Sequence, residues 1–239
     1  MIIAIPRETT IGENRVAVTP EQVKKYSEWG FQVKIETSAG TASGFDDDDY
    51  LKAGAEIAPD AAQTYQNADI ILKIWAPLPD EDRLLKPGQT IIANFQALAH
   101  PARVAELAKQ GLTCFALDML PRISRAQSMD ILSSQSNLAG YKAVINAVNL
   151  LPRAIPLMMT AAGTVSPAKV LVLGAGVAGL QAIATAKRLG AQVFASDVRP
   201  QVKEQVESLG ARFLEVKTSE TFETSGGYAQ ETSPEYRRQ

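Results

Sequence analysis

A chain of 239 residues, 46% apolar and 21% charged, has an ordinary globular composition and is long enough for two domains. Its 24 basic and 26 acidic residues leave a formal charge of −2, which excludes a general attraction to nucleic acid or to an anionic membrane surface. The single cysteine, Cys114, excludes a disulfide framework and a thiolate metal cluster, and no stretch approaches the roughly 20 continuous apolar residues that cross a bilayer.

Met1 to Ile5 is a short apolar strand that stops at Pro6, and it lacks the basic start and long apolar run of a secretory signal. Thr19-Pro20-Glu21-Gln22 predicts a helix start, with Thr19 as N-cap, Pro20 at the first helical position and Gln22 completing a capping box. Gly30 ends that helix. Strand signals follow at Phe31 to Glu36, Ile70 to Ile74, Thr90 to Phe95 and Leu112 to Leu117, with a helix from Pro101 to Gln110. This alternation predicts a parallel α/β domain over residues 1–130. Asp46 to Asp49 lacks the spaced ligands and glycine of a calcium loop, so a solvated turn or helix start is expected and no metal. Cys114, in an apolar run, is expected to be a core thiol.

Residues 121–130, PRISRAQSMD, are polar between two well-patterned segments and are expected to form an ordered loop. Leu138, Tyr141, Ile145 and Val148 recur at helical spacing, and Pro152 closes the helix they predict. A second domain is expected over 131–239. Its centre is KVLVLGAGVAGLQAIATAKRLGAQVFASD at 169–197, which has the order strand, glycine turn, helix, strand, acid. Gly174 permits the turn, Gly176 lets a pyrophosphate approach the backbone, and Gly179 lets helix and strand pack closely. The phosphates would lie over the free N–H groups at the helix start, beginning at Val177. Asp197, at the end of the second strand, suits the two hydroxyls of an adenosine ribose and repels a 2′-phosphate, so NAD(H) is expected over NADP(H). Arg199 keeps an NADP reading open, and a turn that binds nothing is the plainer alternative. Only about three strands follow residue 165, near 170, 193 and 213, so the dinucleotide fold is expected to be truncated after its first half. From Lys217 onward Ser, Thr, Gly and Glu dominate, and residues 217–239 are expected to be a mobile loop or tail.

The segments PRISRAQSMD, SSQSNLAGYKAV, VLVLGAGVAGLQAIATAKRLGA and SDVRPQVKEQVESLGA closely resemble the N-terminal, NAD(H)-binding domain of the alpha subunit of proton-translocating NAD(P) transhydrogenase, in a superfamily that includes alanine dehydrogenase. The resemblance runs from IAIPRE to SGGYA at 225–229. It implies two Rossmann-like parallel-sheet domains. It also implies hydride transfer between NAD(H) held here and NADP(H) on a beta subunit, coupled to proton movement through a membrane domain. The chain would then be a homodimer lying on the cytoplasmic side of the inner membrane, held there by partner subunits without a span of its own. The loop Arg122, Ile123, Ser124, Gln127, Ser128, Met129 and Asp130 would contact the nicotinamide end, with Arg122, Gln127 and Asp130 as its working polar residues and Ser133 in support. Direct hydride transfer needs positioning rather than a proton donor. Gly174, Gly176, Val177, Gly179, Asp197, Val198 and Arg199 would hold the rest of the cofactor, and a lid at Gly226-Gly227-Tyr228 would close over it.

Alanine dehydrogenase is the competing enzyme. Arg15 and Lys73 match its basic substrate positions, but its catalytic histidine would fall near Gln96 and Ala97, and the chain's one histidine, His100, is displaced. A catalytically silent NAD-binding fragment is the third reading.

Overall fold

The structure is a computed structural model that describes residues 1–121 and 123–215. The chain divides into two compact units, Met1–Asp130 and Ile131–Gln239.

The first unit carries six strands: β1 (Ile2–Ile5), β2 (Gln32–Glu36), β3 (Glu56–Ala58), β4 (Ile70–Trp75), β5 (Thr90–Asn94) and β6 (Thr113–Ala116). All pair in parallel, in the order β3-β2-β1-β4-β5-β6. That is the doubly wound order, and the chain reverses direction across the sheet between β1 and β4. Alternation along β1 sends Ile3 and Ile5 into one apolar cluster with Val23, Ile35 and Tyr50, and Ala4 into another with Tyr65, Ile71, Ile91 and Leu107. The central strand is therefore buried on both faces, as a parallel sheet requires. Its crossovers are α1 (Pro20–Glu28), α2 (Asp47–Lys52), α3 (Ala61–Tyr65) and α4 (Pro101–Lys109).

Three local expectations need correction or extension. Thr19 does precede α1 and Pro20 occupies its first turn, but the capping box does not form: no side chain caps the helix, and the Thr19 carbonyl takes the Gln22 and Val23 N–H groups instead. With proline already removing one orphan donor, the helix start is satisfied by backbone. The four aspartates at 46–49 begin α2, with the Asp49 carboxylate accepting from the Asp46 N–H, and Asp47 accepting from the Thr37 hydroxyl and the Ser38 N–H. The 121–130 loop contains a 3₁₀ turn over Ser124–Met129. The sequence pattern did not reveal α3 or β3, which are too short for a periodicity to register.

The second unit opens with α5 (Ile131–Leu150) and a hairpin of β7 (Met158–Thr160) and β8 (Gly163–Val165). A parallel sheet follows in the order β11-β10-β9, formed by β9 (Lys169–Leu173), β10 (Gln192–Ser196) and β11 (Arg212–Phe213). Between them lie α6 (Val177–Arg188) and α7 (Lys203–Ser208). This is the first half of a doubly wound domain, and β9, which would be central in the complete fold, keeps Leu171 and Leu173 exposed. Val144, Ile183, Ala186, Val193, Ala195 and Val206 form the unit's core. On α5 the covered positions are Gly140 and Val144, whereas Leu138 and Tyr141 are exposed. The apolar spacing thus found the helix and, with half-buried Ile145 and Val148, part of its covered side, but the contact with α6 at Gly140 is made through a glycine, which no apolar pattern marks. Among the described residues no helix is long and apolar enough to cross a membrane.

Candidate functional site

The turn between β9 and α6 is built by backbone. Gly174 sits at φ +93° and its N–H donates to the Ser196 carbonyl at 2.8 Å, joining the turn to the end of β10. Only glycine adopts that φ without strain. α6 begins at Val177 with Gly176 as N-cap and no capping side chain, so the first-turn N–H groups are left for an outside acceptor. Gly174, Gly176 and Val177 are exposed. A Cβ on Gly179 would run into the Gly174 carbonyl oxygen, so helix and turn are in backbone contact there. At the other end of α6 the Ala191 N–H donates to the Ala186 carbonyl and the Gly190 N–H to Lys187, closing the helix with Gly190 at φ +87°.

Asp197 stands beside this turn, and its surroundings were not legible in the sequence. Its carboxylate is 4% exposed. One oxygen accepts the Ala175 N–H at 2.7 Å and the Arg199 Nη2 at 2.9 Å; the other accepts the Arg199 N–H at 2.8 Å and Nε at 2.9 Å. Burial raises the Asp197 pKa, but Arg199 and the Ala175 N–H together outweigh it and hold the carboxyl below its ordinary value. Arg199 therefore serves as the partner of Asp197, and a ribose diol would compete with its guanidinium for the same oxygens. The guanidinium also reaches to 4.0 Å from where a Cβ on Gly176 would stand. Val198 is half-buried between the two.

In the first unit Ile123, Ser124, Gln127, Ser128 and Met129 are exposed on the 3₁₀ turn, anchored by buried Ala126 and closed by Asp130, whose N–H donates to the Gln127 carbonyl at 3.3 Å. Ser133 lies half-buried in the first turn of α5. Arg122, Gly226, Gly227 and Tyr228 lie outside the described residues, as does the 217–239 tail.

The first unit holds a second polar constellation at the carboxyl ends of β1 and β4, the switch point of its sheet. Lys73, 4% exposed, places Nζ at 2.9 Å from Glu81 and 3.7 Å from Glu8. Glu81 also accepts from the Tyr65 hydroxyl at 2.6 Å and the Leu78 N–H at 2.7 Å, and Glu8 accepts from the Ile74 N–H at 2.6 Å. Burial pushes the Glu8 pKa up against the pull of Lys73. Nearby, Arg15 makes two side-chain bonds to Glu13, at 2.8 and 2.6 Å, and Glu13 also accepts from the Trp75 Nε1–H at 2.7 Å. Both basic residues that match the amino-acid dehydrogenase positions thus carry internal carboxylate partners.

The hydrogen bonds from Arg15 hold Glu13 at about 2, against an ordinary 4.5. A depressed carboxylate pKa adds stability that is present above about pH 4.5 and is lost as pH falls toward 2. Glu8, raised by burial, acts in the opposite sense. Acid unfolding of Glu13→Gln followed by tryptophan fluorescence should lack this part of the acid loss; a profile parallel to that of the unaltered protein would refute the assignment.

Gln96 occupies the region where the dehydrogenase histidine would fall. Its φ is +47°, and the Asp118 carboxylate holds the strained loop by accepting the Phe95 and Ala97 N–H groups at 2.8 Å each. His100 Nε2 lies 3.2 Å from the Gln96 side-chain oxygen, at the start of α4.

The N-terminal domain of the alanine dehydrogenase/PNT family matches residues 4–139, and its C-terminal domain matches 143–231. The chain is 53% identical over its full length to an NAD(P) transhydrogenase subunit alpha chain of Rhodospirillum rubrum, covering 64% of that protein. It is 31% identical over 87% of its length to alanine dehydrogenase of Bacillus subtilis, covering 55% of that protein. The crystal structure of transhydrogenase from Sinorhizobium meliloti superposes with a TM-score of 0.88 at 50% identity, over 92% of this chain and 63% of that one. The chain therefore spans less than two thirds of these relatives. With both domains matched in order and the doubly wound sheets shared, the chain belongs to the alanine dehydrogenase/PNT family.

Proposed function

We propose that this chain is the NAD(H)-binding part of a proton-translocating transhydrogenase, exchanging hydride with NADP(H) held on a partner beta subunit. The observation that carries the reading is the 174–179 turn, whose exposed Gly174 and Gly176 and uncapped helix start lie beside the buried carboxylate of Asp197. There the pyrophosphate would rest over the first turn of α6, and Asp197 would receive the adenosine ribose as Arg199 yields. NAD(H) supplies the hydride; the chain binds and orients it. Gln127, Asp130 and Arg122 would hold the nicotinamide end, with Ile123, Ser124, Ser128, Met129 and Ser133 shaping the loop. Exchange of a hydride between two carbons asks for no proton donor, which agrees with Gln96, an amide, standing where an amino-acid dehydrogenase would need a base. Replacing Gln127 by Asn should slow hydride exchange more than it weakens NADH binding, and equal losses in both would reduce the residue to a binding contact.

The complete enzyme would be a homodimer in this region, carried to the cytoplasmic face of a membrane by subunits that move the protons. The exposed hairpin supports a second copy: two short strands are marginal in water, and Met158, Met159 and Val165 remain uncovered on it.

The deciding experiment is fluorescence titration with NADH and with NADPH. Selective NADH binding is expected; equal binding, or none by a folded chain, overturns the assignment. Consumption of NADH with pyruvate and ammonia would favour an amino-acid dehydrogenase instead.

A further inference from the structure

Gly140 lies in the interior of α5, where glycine is unfavourable against alanine because it adds backbone freedom and contributes no packing. Something in the tertiary structure must require it. It is one of the buried residues of α5, and a Cβ built on it would fall onto the carbonyl oxygen of Ala178, with the Ala178 carbonyl carbon at 2.8 Å and its Cα at 3.0 Å. Ala178 is the second residue of α6. The obstacle is backbone, so no rotamer change relieves it, and one of the two helices must move.

The other side of α6 is restrained in the same manner. A Cβ on Gly179 would strike the Gly174 carbonyl oxygen. The first turn of α6 is thus held between α5 and the β9–α6 turn by two backbone contacts, each made possible by a missing side chain. Further along, the seam changes character: Val144, Ala147 and Val148 of α5, with Leu151 just past its end, and Ala182 and Ala186 of α6, with Leu189 just past its end, line an apolar crevice of about 450 Å³. Side chains bordering such a space can repack; the Gly140 end has no slack.

We propose that Gly140 is a positioning residue for the nucleotide-binding turn, a further glycine of that site which lies outside the glycine fingerprint and belongs to a different helix. The inference rests on the reading of the 174–179 turn as the NAD(H) site. Gly140 lets α5 set where the N–H groups of Val177, Ala178 and Gly179 stand relative to Gly174 and Gly176. Hydrogen bonds to a phosphate tolerate little displacement, so a shift of α6 along or away from α5 misdirects those donors while leaving the adenosine end, held by Asp197 just past β10, in place.

The test compares the full chain with Gly140→Ala and with Val144→Ala, a core change one helical turn along the seam, where side chains rather than backbone make the contact. NADH, ADP and adenosine are titrated well below the melting temperatures, and melting is recorded for each protein. Gly140→Ala should weaken NADH and ADP by about tenfold or more while adenosine changes little. Val144→Ala should lower the melting temperature and leave the three affinities near those of the parent. Helix propensity alone would make Gly140→Ala more stable, so a stabilised variant with unchanged NADH affinity overturns the proposal. Equal losses for ADP and adenosine also overturn it, since that is the signature of general loosening. Should the parent chain bind no NADH, the function proposed above fails, and Gly140 is then judged by the amide NMR shifts of Val177 to Leu180: unmoved amides in Gly140→Ala overturn the positional claim, and displaced ones uphold it.

Discussion

Asp197→Ala should weaken NADH binding by at least about tenfold and also lower the stability of the second unit. Two consequences follow from one side chain. The Ala175 N–H, on a residue 1% exposed, loses its acceptor, and an unsatisfied buried donor costs about 1–3 kcal/mol. The carboxylate that repels a 2′-phosphate is gone, so the preference for NADH over NADPH should shrink as well. Asp197→Asn separates these effects: the amide oxygen still accepts from Ala175, so stability should recover more than affinity and selectivity do. The measurements are nucleotide titrations and thermal melts of the three proteins. NADH affinity unchanged in Asp197→Ala would sink the ribose assignment, and a stability loss alone would make Asp197 a staple of the turn.

Lys73→Met is expected to be the most destabilising single change in the first unit. The ammonium is the cation between Glu8 and Glu81, whose side chains are 3% and 9% exposed. Removing one partner of a buried ion cluster leaves charge uncompensated and costs about 3–5 kcal/mol. Both tryptophans, Trp29 and Trp75, lie in this unit, so urea unfolding followed by their fluorescence reports it directly. Pairing Lys73→Met with Glu81→Gln should recover part of the loss, because the double change removes a charge of each sign. Full additivity of the two changes would mean that the 2.9 Å contact carries no coupling. If Lys73 instead serves as a substrate contact, Lys73→Met would leave stability nearly intact.

The parallel sheet of the first unit was legible because β1 is wholly apolar and β4 and β5 are mostly so, as strands buried on both faces require, and because Pro101 marks a helix start between β5 and β6. The glycine turn was legible because its three glycines answer to local backbone geometry: one positive φ, one exposed approach and one close contact. β3, α3 and the β7–β8 hairpin were not, since these elements of three to five residues have neither the length for a period nor an apolar run like that of β1. The capping box at Thr19 failed for a related reason. A motif names the groups that could bond, and the helix start was satisfied by the Thr19 carbonyl without them.

What the amino-acid order determined by itself was local: where strands and helices run, where Gly174 turns the chain, and the succession of alternating segments that forces a parallel α/β fold. Which polar groups distant in the chain meet was decided by tertiary structure. Glu8 reaches the Ile74 N–H from 66 residues away only because β1 and β4 are neighbours in the sheet. Asp197 reaches the Ala175 N–H only because β9 and β10 pair in a register that sets Ser196 opposite Leu173. Gly140 meets Ala178 only where two helices cross. Periodicity is a property of neighbours along the chain; partnership between charges and backbones depends on strand order and register, and these form only when the chain buries its apolar faces together.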